Sequence, residues 1–197
     1  MPTAPLETSK LSRPKYEVPL YRVELVQDKS VLARAQYMET PKQAADLFRR
    51  VVGVADREHL IAFFLTNEYR VTGVHVAAVG SVNMVNCSPS SVFKGALLGN
   101  AAAIILAHNH PSGGLEPSAA DVELTHHMEL SGAMLGIAVV DHVIVGRRGN
   151  TSLRQTGRML VPDDLDGMSD EDLKTRLWTS AGFPGPLPTA NEGAMEL

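Results

Sequence analysis

Apolar residues occur in short blocks along the chain, and their spacing predicts strands separated by other elements. Residues 21–25 alternate apolar and polar side chains, which predicts a half-buried strand. Residues 60–65 are apolar almost throughout, as is typical of a strand that is buried on both faces. Residues 102–106 and 137–145 repeat this continuous pattern. We therefore expect the interior of the protein to contain three fully buried strands.

Helical signals lie between these strands. Thr40, Pro41 and Gln43 form the pattern of a helix N-terminus, with a capping threonine, a proline in the first turn and a capping-box glutamine. Residues 92–98 predict a second helix, and residues 118–130 predict a third after a loop rich in Pro and Gly. Strands separated by helices predict an α/β protein, a three-layer α/β/α sandwich with a mixed central sheet.

The periodic pattern is confined to the middle of the chain. Residues 1–17 contain several prolines and no periodicity, which predicts a flexible N-terminal arm. Residues 161–197 are acidic and include a stretch rich in Gly and Pro, which predicts a C-terminal tail with at most one short helix. One domain over residues 18–160 is therefore expected between the arm and the tail.

Composition narrows the classes of partner. The 197 residues include 18 Lys and Arg against 22 Asp and Glu, a formal net charge of −4. Nucleic acid is therefore a possible partner only through a local basic patch, because the net charge does not support broad contact with phosphates. Aromatic residues make up only 5% of the chain, which disfavours a surface that stacks on single-stranded bases.

The single cysteine and the absence of long apolar runs carry two further expectations. Cys87 is the one cysteine, which excludes an internal disulfide and a cysteine-based zinc finger. Any metal site must then use nitrogen and oxygen ligands. The N-terminus has no apolar stretch of the signal-peptide kind, and no apolar run is long enough to cross a bilayer. We therefore expect a cytoplasmic protein with no membrane partner.

Residues that can carry chemistry are concentrated at 106–121, where a buried strand ends in two histidines. Because residues i and i+2 of an extended chain point to the same side, His108 and His110 can converge on one ion. Asp121, in the first turn of the next helix, can bring a carboxylate to the same point. Two histidines and one aspartate can hold Zn²⁺ and leave a fourth position for water, as in catalytic zinc sites.

Two more residues are candidates for this active site. Pairing of the strand at 60–65 beside His108 would place Glu58 over the open zinc position as a general base. Ser118 lies three residues before Asp121, and its hydroxyl can stabilise a developing oxyanion. Each residue also has a simpler interpretation. Ser-x-x-Asp is a helix capping box, and a glutamate beside a strand is ordinarily a solvated edge residue.

Two other polar residues on apolar segments have mainly structural interpretations. His142 follows Asp141 on a predicted buried strand. It is either a core histidine with satisfied hydrogen bonds or a partner behind the metal ligands, and the core interpretation is slightly favoured. Cys87 is interpreted as a small buried hydrophobic residue, because the sequence gives no base a reason to lie beside it.

The spacing of these residues resembles the signature of the JAMM (MPN-type) metallopeptidases. It consists of Glu58, then His108-x-His110, seven residues, Ser118, two residues and Asp121. Within that family, the motif most closely resembles the RadC-like branch. It reads His-Asn-His-Pro-Ser-Gly-x-x-x-Pro-Ser-x-x-Asp. The similarity covers residues 18–155 and is to the short RadC-like proteins without a helix-hairpin-helix region.

The resemblance implies an α/β/α fold of the JAB/MPN type, related to the cytidine deaminases. It also implies Zn²⁺ held by His108, His110 and Asp121, with Glu58 as general base and Ser118 as oxyanion donor. The activity implied is hydrolysis of peptide or isopeptide bonds, with a peptide or protein as substrate.

One departure from the family pattern bears on the activity. Residues 88–91 read Ser-Pro-Ser-Ser where RadC-like proteins often have His-Pro-Arg-Glu, so a charged cluster near the cleft is missing. An alternative function is therefore a non-catalytic RadC-like interaction module in DNA repair or mobile-element biology, and the basic first fifty residues are compatible with it. Zinc deamination is disfavoured because its His-x-Glu and Pro-Cys-x-x-Cys ligand motifs are missing.

Overall fold

The computed structural model describes residues 19–80, 87–160, 168–169, 171–173 and 175–176 of the chain. Its regular elements follow the predicted alternation of helices and strands. In chain order they are α1 (Pro41–Val52), β1 (Glu58–Leu65), β2 (Val71–Gly80), α2 (Pro89–Leu98), β3 (Ala103–Asn109), α3 (Ala119–Leu135), β4 (Ala138–Val145) and β5 (Asn150–Ser152). Within this part of the chain, no helix combines the length and the apolar character that crossing a bilayer requires.

The five strands form one mixed sheet in the order β2-β1-β3-β4-β5. β1 runs antiparallel to both β2 and β3, whereas β3 and β4 are parallel and are connected through α3. The predicted pairing of β1 beside the histidine strand is confirmed, since Leu60 lies opposite His108. This pairing brings the start of β1 to the end of β3, where the candidate chemistry lies.

Helices cover both faces of the sheet, so the predicted three layers are confirmed. Successive side chains of a strand point to opposite faces, and β1 therefore contributes to two cores. Leu60 belongs to the same core as Phe93 of α2 and Met128 of α3. Its neighbour Ile61 belongs to the core on the opposite face, together with Phe48 of α1. Burial of β1 on both faces explains why its sequence is apolar almost throughout.

Local sequence signals determine where the helices begin and end. At the start of α1, the Thr40 hydroxyl accepts a hydrogen bond from the Gln43 amide, and the Gln43 side chain accepts one from the Thr40 amide, so the predicted capping box is confirmed. At the end of α3, Gly136 adopts a left-handed conformation with φ 68°, which turns the chain back into β4.

The strand predicted at residues 21–25 is wrong. These residues form no strand and no helix, and their side chains are exposed, with Val23 at 70%. Apolar alternation indicates which side of a segment could be buried, but a strand also needs a neighbour to accept its backbone hydrogen bonds. Among the described strands, none pairs with this segment.

The predicted terminal segments lie mostly outside the described residues. The arm at 1–17 lies there entirely, and most of the tail at 161–197 does too, so the domain boundaries stay predictions. Ser169 and Asp172 are described, and they form a helix cap. The Ser169 hydroxyl accepts from the Asp172 amide at 3.1 Å and donates to the Asp172 carboxylate at 2.7 Å.

Candidate metal centre

The end of β3 and the start of α3 bring three candidate ligands together. His108 is fully buried on the face of the sheet that α2 and α3 cover. His110 follows the end of β3, and its side chain is 18% exposed. Asp121 lies in the first turn of α3, and its side chain is 4% exposed. The loop between β3 and α3 therefore returns the chain to the point where the two histidines converge.

The separations of the ligand atoms fit a tetrahedral zinc ion. The two Nε2 atoms of His108 and His110 are 3.0 Å apart. The Oδ1 atom of Asp121 lies 3.2 Å from His108 Nε2, and its Oδ2 atom lies 3.3 Å from His110 Nε2. Zinc bonds of about 2.0–2.1 Å in tetrahedral geometry place neighbouring ligand atoms about 3.3 Å apart. The predicted convergence of the three residues is present, and their donor atoms suit zinc.

Hydrogen bonds at the start of α3 hold the carboxylate of Asp121. Its Oδ2 atom accepts from both the amide and the hydroxyl of Ser118, each at 2.7 Å. The Ser118 hydroxyl in turn accepts from the Asp121 amide, so the capping box weighed as the simpler interpretation is present. Because both of these donors bind Oδ2, the Oδ1 atom is left to face His108.

The surroundings of Asp121 keep its carboxylate ionised. Burial alone would raise the pKa of Asp121. The hydrogen bond and charge of His108 and the hydrogen bonds from Ser118 together outweigh burial, so the pKa of Asp121 lies well below its usual range. A deprotonated carboxylate is the form that binds a metal ion.

Glu58 lies beside the three ligands at the start of β1. Its Oε1 atom is 3.9 Å from His108 Nε2, and its side chain is only 8% exposed. One ligand atom from each of Glu58, His108, His110 and Asp121 can be chosen so that all four lie within 4.8 Å of one another. Burial raises the pKa of the Glu58 carboxyl, although the two histidines oppose that shift. The solvated-edge interpretation of this glutamate therefore does not describe it.

Asn109, between the two histidines, holds the backbone on both sides of Glu58. Its Oδ1 atom accepts from the His59 amide at 3.0 Å, and its Nδ2 group donates to the Arg57 carbonyl at 2.9 Å. Asn109 was not among the residues predicted from the sequence to belong to the site. Its position at the end of a strand that pairs with β1 was the available signal, but the two contacts depend on the register of that pair.

His142 and Thr125 lie directly behind His108. The Nδ1 atom of His108 is 2.8 Å from Nε2 of His142, and Nδ1 of His142 is 2.6 Å from the Thr125 hydroxyl. His142 is fully buried, as the favoured core interpretation required, but it is also a direct partner of a candidate metal ligand. Burial lowers the pKa of His142 well below its ordinary value. Sequence reasoning gave Thr125 no role, although it lies one helical turn after Asp121.

Cys87 and the serines that follow it take no part in this group. Cys87 is buried, and burial raises the pKa of its thiol, in agreement with its interpretation as a small hydrophobic residue. The hydroxyl of Ser88, at the start of α2, is 2.8 Å from that of Ser90 and 3.1 Å from that of Ser91. These neutral hydroxyls lie at the positions where the sequence departs from the His-Pro-Arg-Glu pattern of RadC-like proteins.

Comparison with known families gives the same assignment as the geometry. The RadC-like JAB domain matches residues 38–158, which include all four residues of the candidate metal group. The chain belongs to the RadC-like JAB domain family. The five-stranded mixed sheet with helices on both faces is consistent with a JAB domain. The resemblance drawn from the sequence is therefore confirmed at the level of the family.

Several UPF0758 proteins are similar to this RadC-like JAB domain. A UPF0758 protein of Desulforudis audaxviator is 42% identical over 120 residues, which cover 61% of this chain and 52% of the relative. UPF0758 proteins of Chloroflexus aurantiacus and Finegoldia magna are 39% identical over 120 residues and 36% identical over 118 residues. The match to the Chloroflexus protein covers 61% of this chain and 52% of that relative. The match to the Finegoldia protein covers 60% of this chain and 53% of that relative. The chain thus spans about half the length of the curated relatives it matches.

Proposed function

We propose that this protein is a zinc-dependent hydrolase of peptide or isopeptide bonds. The observation that supports this proposal most strongly is the buried carboxylate of Glu58, 3.9 Å from His108 Nε2. Structural zinc sites have four protein ligands, whereas catalytic sites have three and keep an open position. A base held beside three closely spaced ligands matches the second arrangement.

Three residues of the site would bind the metal ion, and a fourth would transfer the proton. His108, His110 and Asp121 would hold Zn²⁺ through two imidazole nitrogens and one carboxylate oxygen. The bound ion would polarise the substrate carbonyl and lower the pKa of the attacking water. The Glu58 carboxylate accepts a proton from that water and then donates it to the nitrogen of the leaving amine. Burial raises the pKa of Glu58, which makes its carboxylate a stronger base for the proton of that water.

Ser118 is proposed as the donor to the oxyanion that forms at the substrate carbonyl. Its hydroxyl donates to Asp121 Oδ2 in the structure, so this role requires the hydroxyl to rotate towards the substrate. The same oxygen of Asp121 keeps the hydrogen bond from the Ser118 amide during that rotation. Asp121 would therefore stay in position while the serine acts.

Glu58→Gln tests the proposed base, because it keeps the shape of the side chain and removes its ability to accept a proton. We expect one zinc per chain in both the parent and the variant, measured by mass spectrometry of the metal after zinc loading. We expect the rate of cleavage to fall about 10²- to 10⁴-fold. Cleavage is measured on a library of linear peptides and isopeptide-linked peptides, with products detected by mass spectrometry.

Glu68→Gln is the matched control, since Glu68 is exposed in the turn after β1, at the opposite end of that strand. It should retain the parental rate. The proposal is overturned if the loaded parent holds no stoichiometric zinc, or if Glu58→Gln cleaves as fast as the parent. A parent that binds zinc but cleaves no member of the library contradicts hydrolysis and favours a non-catalytic role.

A further inference from the structure

Three hydrogen bonds in series connect the backbone of one metal ligand to the ring of another. The Thr125 hydroxyl lies 2.5 Å from the carbonyl oxygen of Asp121. The His142 ring follows, 2.6 Å from that hydroxyl, and the His108 ring lies 2.8 Å beyond it. Thr125, His142 and His108 are each 0% exposed, so water does not compete for these bonds. We call this series the Thr125–His142–His108 chain.

The carbonyl at one end fixes the direction of the first two bonds. A carbonyl oxygen can only accept, so the Thr125 hydroxyl must donate its one hydrogen to Asp121. That hydroxyl has no second hydrogen to give to His142. The 2.6 Å contact is therefore a hydrogen bond from Nδ1–H of His142 to the Thr125 oxygen.

The charge state of His142 fixes the direction of the third bond. His142 is fully buried, and its ring contacts a hydroxyl and another imidazole rather than a carboxylate. A buried imidazolium without a carboxylate partner is strongly disfavoured, so the ring is neutral. With its hydrogen on Nδ1, the Nε2 atom of His142 accepts, and Nδ1–H of His108 donates. The Nε2 atom of His108 is then the ring nitrogen that faces Asp121 and His110 and that is available to an ion.

We infer that Thr125 and His142 are positioning residues that hold His108 in the tautomer and orientation required of a metal ligand. The observation behind this is the unbroken Thr125–His142–His108 chain of buried hydrogen bonds that starts at a carbonyl oxygen. Partners behind ligating histidines fix the ring tautomer and commonly affect metal affinity by about 10- to 100-fold. The inference rests on the proposed metal centre, and it is independent of whether the protein hydrolyses peptides.

The same series makes the geometry of two ligands interdependent. Asp121 provides its backbone carbonyl to Thr125 and its side-chain Oδ1 atom to the site, where it lies 3.2 Å from His108 Nε2. A shift of α3 would therefore move the carboxylate and, through Thr125 and His142, the His108 ring as well. His110 provides a contrast, because no hydrogen bond to its Nδ1 atom is found among the described residues.

The first test measures the tautomer of His108 in metal-free protein, by long-range ¹H–¹⁵N NMR of the histidine rings after chelator treatment. The His108 signals are assigned by their loss in His108→Gln. We expect a hydrogen on Nδ1 of His108 both before and after zinc is added. A His108 ring without a hydrogen on Nδ1 in the metal-free parent would overturn the inference. This measurement needs neither zinc nor a substrate, so it can fail separately from the proposed function.

Paired variants test each positioning residue by zinc affinity, measured in competition with a chelating dye. His142→Leu removes the acceptor for His108, and we expect the affinity to fall about 10- to 100-fold with loss of the single tautomer. His142→Gln keeps an acceptor at that position and should retain most of the affinity. Thr125→Val removes only the hydroxyl, with an expected loss of up to about 10-fold. Thr125→Ser keeps the hydroxyl and should match the parent.

The two pairs keep the inference falsifiable if one variant fails to fold. Far-ultraviolet circular dichroism and the unfolding midpoint of each metal-free variant establish whether its fold is intact. Equal zinc affinities for folded Thr125→Val and Thr125→Ser, together with an unchanged His108 tautomer, would contradict a role for the hydroxyl. Parental affinity in folded His142→Leu would contradict a role for His142.

Discussion

Asp121 and Asp141 are both buried aspartates, yet the net shifts of their pKa values are in opposite directions. Each accepts a serine hydroxyl at 2.7 Å, Asp121 from Ser118 and Asp141 from Ser152. Each also accepts backbone amide hydrogens, which Asp141 receives from His142 and Arg154. Burial raises the pKa of Asp141 above its ordinary value despite these bonds, whereas the pKa of Asp121 is well below it.

The difference comes from the imidazole that faces only one of these carboxylates. His108 Nε2 lies 3.2 Å from Asp121, and its hydrogen bond and charge are the main influences that lower the pKa there. The hydrogen-bond partners of Asp141 come from β4, β5 and the turn after β5, and none is an imidazole ring. Serine and amide donors thus do not distinguish a candidate metal ligand from a structural aspartate. The imidazole ring that faces the carboxylate does.

The largest expected effect comes from Asp121→Ala. Removing a ligand should lower zinc affinity by more than about 100-fold, because even the loss of a partner behind a ligand costs about 10- to 100-fold. The metal-free fold should lose only about 1 kcal/mol, the usual cost of removing a helix cap. Zinc affinity is measured by dye competition, and stability by urea unfolding. Parental affinity in this variant would remove Asp121 from the ligand set.

Asp141→Ala should show the opposite profile. It leaves the Ser152 hydroxyl and two backbone amides without their acceptor, so we expect the free energy of unfolding to fall by about 1–3 kcal/mol. Zinc affinity should change by less than about 10-fold, because the Asp141 carboxylate accepts from the backbone amide of His142 and not from its ring. Urea unfolding of metal-free protein and the same dye competition measure both quantities. A zinc defect as large as that of Asp121→Ala would show that the two aspartates are not functionally distinct.

Glu129 sharpens the comparison, since it is a third buried carboxylate and also has a raised pKa. Burial raises the pKa of Glu129 to about 7, against the opposing hydrogen bond from the Leu160 amide and the charge of Arg154. Between its ordinary pKa and about 7 the folded protein binds more protons than the unfolded chain. The free energy of unfolding should therefore decrease as pH rises through this window.

Glu129→Gln isolates that pH dependence, because glutamine still accepts from the Leu160 amide but does not titrate. Relative to this variant, the parent should lose on the order of 1–2 kcal/mol of stability between pH 5 and 7.5. Urea unfolding of both metal-free proteins at the two pH values gives the difference. Parallel pH profiles would show that Glu129 ionises in the folded protein as readily as in the unfolded chain.

The smallest effect is expected from Glu123→Gln, on the same helix as Asp121 and Glu129. Glu123 is exposed, so its carboxylate has neither the imidazole contact of Asp121 nor the burial of Asp141. Stability should stay within about 0.5 kcal/mol of the parent, and zinc affinity should not change measurably. The same unfolding and dye measurements apply. A large effect here would mean that net charge, rather than local contact, controls the binding of the metal.

Much of the fold could be predicted from sequence because continuous apolar runs and helix caps are local signals. The run at 60–65 became the two-faced strand β1, and Thr40 caps α1 as expected. Residues 21–25 show that a local pattern alone does not ensure that a strand forms. Their alternation predicted a strand with one apolar side, but it carried no information about a neighbouring strand, and the side chains are exposed.

The candidate site likewise contains residues that local sequence predicts and residues that depend on strand pairing. His108, His110 and Asp121 were predictable because they lie in one strand, loop and helix unit, where spacing determines which side chains meet. The contacts of His142 with His108 were not, because they depend on the parallel pairing of β3 with β4. That pairing contains an irregularity between Ile104 and Ile105, which shifts the register in a way that no local pattern records.

Asn109 links a locally formed unit to a strand from a distant part of the chain. The three proposed ligands lie within residues 108–121, whereas the proposed base comes from the start of β1. Zinc content would consequently report that β3, the loop and α3 have formed beside β4, which carries His142. Turnover would report in addition that β1 has paired with β3, because Asn109 holds Arg57 and His59 only when β1 lies beside β3. A preparation fully loaded with metal can therefore still contain inactive molecules, and active-site titration is the proper measure of its quality.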